Sequence, residues 1–140
     1  MKEVSVSMSI QGWDEQETFA AQAPHKHARV FAKKKYEGGF EGHSELEYLL
    51  CYTNEQTSHY VGYERVTGQV EGKTGSFVMK LEGFYGDGTA TERGEIVAGA
   101  GTGELTALRG EMTYKANHTE QSHDLSLRYA WDESENNPTA

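Results

Sequence analysis

The sequence predicts an all-β protein: one small, tightly curved antiparallel barrel with little helix. Three observations carry that expectation. Segments such as SVSMSI, GSFVMKLEG and HDLSLRYAW alternate apolar and polar residues, the pattern of strands with one buried face. Fifteen of the 16 glycines lie between Gly38 and Gly110, where they punctuate those alternations. No long segment carries the helical period, so helix is expected in less than about 10% of the chain, against ~30–35% in an ordinary soluble domain.

The elements follow in order. Val4, Val6, Met8 and Ile10 alternate with Glu3, Ser5, Ser7 and Ser9 and form the first strand. Residues 14–26 are polar, include Pro24, and read as a connection. A second strand spans 29–35, and Gly38-Gly39 marks a turn or bulge. The third, 42–53, sets Leu46, Tyr48, Leu50 and Tyr52 in one phase. The fourth, 59–70, does the same for Tyr60, Gly62, Glu64 and Val66, and the fifth, 76–84, for Phe77, Met79 and Leu81. Gly86-Asp87-Gly88 is a hairpin turn, and a sixth strand is expected over 89–100. A single turn of 3₁₀ helix over 104–109 precedes the last two strands, 111–115 and 122–131. Gly62 and Gly99, inside strands, point to bulges or sharp coiling. The reading is one β-barrel domain over residues 1–132 and a polar tail over 133–140.

Bulk properties narrow the function. A chain of 140 residues fits one domain and buries roughly two-thirds of its unfolded surface. The one cysteine, Cys51, allows no intrachain disulfide. It sits among Leu49, Leu50 and Tyr52 and reads as a small buried hydrophobe. A formal net charge of -9 argues against nucleic acid, because a phosphate backbone is bound by Lys and Arg. The basic run Lys33-Lys34-Lys35 reads as a solvated or edge-strand feature. The charged, alternating N-terminus is no signal-peptide core, and no stretch approaches the ~20 apolar residues of a membrane helix. A cytoplasmic location and no membrane partner are the expectations.

Four segments carry a family resemblance: Tyr36-Glu37-Gly38 with Phe40-Glu41-Gly42; Tyr60-Val61-Gly62-Tyr63-Glu64-Arg65; Gly72-Lys73-Thr74-Gly75-Ser76-Phe77-Val78; and Gly99-Ala100-Gly101-Thr102-Gly103-Glu104-Leu105 with Leu108-Arg109-Gly110. In this order they resemble a family of small bacterial proteins, a domain of unknown function, whose fold is similar to the allene oxide cyclase barrel. The resemblance implies a closed antiparallel eight-stranded barrel over most of the chain. It implies no activity, since fold alone does not carry function.

Other motifs weigh little. Residues 68–74, GQVEGKT, have one residue too few for a phosphate-binding P-loop and lead into a strand. The Gly99-x-Gly-x-Gly run suits a corner at positive φ, with Glu104 accepting backbone hydrogen bonds there. The six histidines have no metal-ligand spacing. No metal or cofactor is expected.

Tyrosine is in surplus, with eight residues. Glu64 shares its strand phase with Tyr60 and Val66. If that phase faces the lumen, Glu64 is a carboxylate in an apolar cavity, and its pKa rises unless a partner compensates. Glu64 with Tyr36, Tyr48, Tyr60 and Tyr129 is therefore the candidate ligand-binding set, in a chain that looks poor in lumen-phase cations. The bland reading is that Glu64 bonds neighbouring hydroxyls and holds the barrel together. Three functions stay open: a barrel binding a small apolar or lipid-like molecule; a cyclase or isomerase acting on an oxygenated lipid-like metabolite; and a solid-cored structural or interaction protein. Apolar residues in both phases, as at Leu49-Leu50 and Ile96-Val97-Ala98, favour a homo-oligomer.

Overall fold

The computed structural model describes residues 1–18, 25–117 and 122–132. Nine strands follow in chain order: β1 (Lys2–Glu17), β2 (Lys26–Gly38), β3 (Glu41–Asn54), β4 (Thr57–Val70), β5 (Lys73–Gly86), β6 (Thr89–Ile96), β7 (Thr102–Gly103), β8 (Leu108–Asn117) and β9 (Ser122–Trp131). The sheet runs β4-β3-β2-β1-β9-β8-β6-β5, and a further β4–β5 pairing closes it. Every pairing is antiparallel. The wall is thus a closed eight-stranded barrel, with the two-residue β7 attached to the start of β5. No helix occurs among the described residues.

The period-two pattern sets what lies inside. From β2 come Ala28, Val30, Ala32, Lys34 and Tyr36, from β3 Ser44, Leu46, Tyr48 and Leu50, and from β4 Tyr60, Glu64 and Val66, all buried. Gly62 lies in unbroken register opposite Tyr48, so it marks no bulge. The register shifts fall instead between Ile10 and Gly12 and between Tyr52 and Asn54.

Four expectations are corrected. The connection expected from residue 14 is strand as far as Glu17, because past the Ile10/Gly12 shift Gly12–Glu17 pair with Lys33–Ala28. Both faces are largely exposed there, so polar side chains do not oppose pairing. Residues 19–24, with Pro24, and the tail over 133–140 lie outside the described residues. Second, β6 ends at Ile96 rather than at residue 100. Third, Cys51 is only half-buried, since it falls in the outward phase of β3 between Leu50 and Tyr52. Fourth, the lysine run is not wholly solvated. Alternation turns Lys33 and Lys35 out and Lys34 in, where it is 1% exposed.

One end of the barrel is sealed. Between β6 and β8 the chain makes successive tight turns, Leu105 N–H donating to the Thr102 carbonyl and Leu108 N–H to that of Leu105, in place of the expected 3₁₀ helix. Gly99 and Gly103 sit at φ of 87° and 60°, a region costly for other residues. The corner drives Leu105 and Leu108 into the core, which also takes Phe40, Phe77 and Tyr129. The Glu104 carboxylate accepts from the backbone N–H and hydroxyl of Thr74, at 3.2 and 3.3 Å, and ties the corner to β5.

Candidate functional site

A polar cluster crosses the middle of the lumen. Lys34 on β2 and Glu92 on β6 come from strands on opposite sides of the wall. The Lys34 ammonium donates to the hydroxyls of Tyr48 at 3.1 Å and Tyr114 at 3.2 Å. It stands 3.7 Å from Glu92 Oε2. Tyr48 donates its proton to Glu92 Oε1 at 2.5 Å. A second group lies beside the first: Glu64 Oε2 accepts from the Tyr36 hydroxyl and, at 2.5 Å, from Ser44 Oγ.

Above the Lys34 cluster, away from the sealed end, a cavity of about 570 Å³ opens to solvent. Its walls include Met8, Trp13, Leu50, Tyr85, Ala90 and Ala116, and Lys34, Tyr48, Tyr60 and Tyr114 also line it. Trp13 tilts over Tyr48 with ring centroids 6.1 Å apart. The ring of Tyr60 crosses Gly83 on β5, where a Cβ would meet Tyr60 Cζ at 2.2 Å. Only a residue without a side chain leaves that ring its place.

Comparison with known proteins supplies a family. Residues 4–129 match the model described as "Protein of unknown function (DUF3224)". The chain belongs to the DUF3224 family. It is similar to the crystal structure of a DUF3224 protein of unknown function from Shewanella oneidensis MR-1, with 25% identity and a TM-score of 0.72, over 93% of this chain and 98% of that one. No curated protein matches the chain.

Within this DUF3224 barrel the predicted site residues separate. Tyr48 and Tyr60 line the cavity, and Tyr36 and Glu64 lie outside its lining. Tyr129 belongs elsewhere. It is buried at the sealed end, 6.3 Å from the ring of Trp131 and close to Glu71 and Lys2. The inward phase of β9 fixes this, since Tyr129 pairs with Lys2 at the start of β1.

The lumen is not poor in cations, because Lys34 is inside it. Sequence reading also passed over Glu92 and Tyr114. The inward phase of β6 has only Ala90, Gly94 and Ile96 beside Glu92, a weak apolar stripe. Glu92 shares the phase of Gly94 and Ile96, and Tyr114 that of Leu108 and Met112, and those phases were the available signals. Among the described residues, no three His, Cys, Asp or Glu side chains gather as a metal site.

Burial sets the protonation preferences. Desolvation raises the Glu64 carboxyl above the ordinary carboxylate range, despite opposition from Lys34, Ser44 and Tyr36. Burial also depresses the Lys34 ammonium, but Glu92, Tyr114 and Glu64 outweigh it and hold the group above the usual lysine range. Burial first, and Glu92 next, push Tyr48 well above the phenol range. Burial likewise raises Tyr114, with Lys34 pulling the other way. The cluster is therefore a fixed ion pair with protonated phenols around it.

Proposed function

We propose that this DUF3224 barrel binds a small, largely apolar molecule in the cavity above Lys34. The observation that carries the reading is the cavity itself: about 570 Å³, mostly apolar walls and a few convergent polar groups at its base. Ligand sites in general have this size and composition. The volume weighs against a solid-cored structural barrel. The position of the two buried carboxylates weighs against either of them serving as the base of a cyclase or isomerase. Glu64 and Glu92 are absent from the cavity lining and are engaged by hydroxyls, whereas a general base must reach the proton that it removes.

The test is titration with the neutral fluorophore phenylnaphthylamine. Ala116, opposite Ala90 across the β6–β8 pair, lines the cavity. The wild type should bind the dye with enhanced emission, and Ala116→Phe should weaken binding by about tenfold, the effect of filling an apolar site. Equal binding by a correctly folded Ala116→Phe protein would contradict the reading.

A further inference from the structure

The base of the cavity restricts what the ligand can carry. Lys34 is among the residues that line the cavity, yet its cation is engaged. Its ammonium has three protons. Two go to Tyr48 and Tyr114, and Glu92 Oε2 stands 3.7 Å away as the counter-ion. One cation and one anion therefore balance, both fully buried. Glu64 stands to one side in its own hydrogen bonds with Tyr36 and Ser44. A ligand carboxylate would bring a second negative charge with no free cation to meet it. A ligand ammonium would stand against Lys34. Either charge, once desolvated, costs several kcal/mol unless paired.

The phenols differ in what they can still give. Tyr36 donates to Glu64 and Tyr48 to Glu92. Among the described residues, Tyr60 and Tyr114 are the phenols of this cluster whose protons no carboxylate takes, and of the two Tyr114 is the one that accepts from Lys34, at 3.2 Å. A hydroxyl that accepts from a cation is polarised and becomes a better donor. Tyr114 also lines the cavity. It therefore offers a strengthened O–H to an incoming acceptor, at the expense of no ionic bond.

We propose that the cavity selects a neutral molecule with a hydrocarbon body and a carbonyl oxygen at one end, the oxygen accepting a hydrogen bond from Tyr114. The inference rests on the binding reading above and names the chemistry that the site prefers. Glu55 at the cavity wall acts in the same direction, since its exposed carboxylate repels an anionic ligand.

The experiment is displacement of phenylnaphthylamine by four probes of equal carbon number: methyl nonyl ketone, undecanoate, undecylamine and undecane. The ketone should displace the dye about tenfold more tightly than undecane, the worth of one net hydrogen bond, and more tightly than either charged probe. Tyr114→Phe should bring the ketone down to the level of undecane while leaving undecane unchanged. Undecanoate or undecylamine binding tightest overturns the inference, as does equal binding of ketone and hydrocarbon to the wild type. In those cases binding in the cavity still stands. If neither dye nor probe binds the folded wild type, both readings fail. The wild-type probe series decides the matter even if Tyr114→Phe does not fold.

Discussion

Lys34 and Glu92 meet 3.7 Å apart inside the barrel, from strands on opposite sides of the wall, with their side chains 1% and 0% exposed. The pair acts as a crossbar. It is surrounded by Tyr48 and Tyr114, which bond one or both of its ends. Removing one member leaves the other charged, buried and unpaired. Lys34→Met should therefore cost about 3–5 kcal/mol in urea unfolding, and the double change Lys34→Met with Glu92→Leu considerably less. A double variant less stable than the single would refute the crossbar.

Glu64 supplies a pH dependence with a definite sign. Burial, its largest influence, raises the carboxyl in the folded state above its ordinary value of 4.5. The folded protein thus holds that proton more tightly than the unfolded chain. The resulting stabilisation is complete below pH 4.5 and is lost as pH rises through the higher folded value. The stability of the wild type minus that of Glu64→Gln should accordingly fall as pH climbs from 4.5. A difference that grows or stays level in urea titrations across that window would count against the raised carboxyl.

Gly83 and Tyr60 are coupled by contact, and their backbones are paired across β4 and β5. A methyl group at Gly83 would overlap the Tyr60 ring. Gly83→Ala should cost about 1–3 kcal/mol, as overpacking does. Much of that cost should vanish in a Tyr60→Leu background. A double-mutant cycle with no coupling energy would show that the ring does not need the glycine.

The outer wall predicts self-association. Phe31, Leu49, Val61 and Phe84 are exposed on the adjoining strands β2 to β5. Leu49 lies directly opposite Val61. Ion pairs flank the band, Arg29 with Glu47 and Arg93 with Glu82, so both signs of charge are available to a second copy in a self-complementary contact. Sedimentation should find more than the 15.6 kDa monomer, and Leu49→Lys should shift the population towards it. A wild type that stays monomeric at millimolar concentration would exclude this interface.

The barrel was legible because closed sheets write their inner face as a period of two. Leu46, Tyr48 and Leu50 or Phe77, Met79 and Leu81 could be placed from sequence for that reason. Glu64 was found the same way. The rest of the site was hidden where polar side chains occupy inward positions. Lys34 sits between two other lysines, and composition by itself suggests a solvated run, although Val30, Ala32 and Tyr36 share its phase. Glu92 has only Ala90, Gly94 and Ile96 in its phase, two of them too small to make a clear stripe. Tyr129 was grouped with Glu64 because phase tells inside from outside but not height along the barrel axis. Height depends on register, which pairs Tyr129 with Lys2 at the sealed end.

Among the described residues, the corner that carries Leu105 and Leu108 into the core closes one end of the lumen and leaves the other open, a cup and not a conduit. If the cavity takes the ligand proposed above, that guest would pass Trp13 and Ile10 and enter head first to reach Tyr114. Its far end would then stay towards the solvent, and such a vessel would gauge its contents by length: a body shorter than the cup would be covered, and a longer one would trail its tail outside.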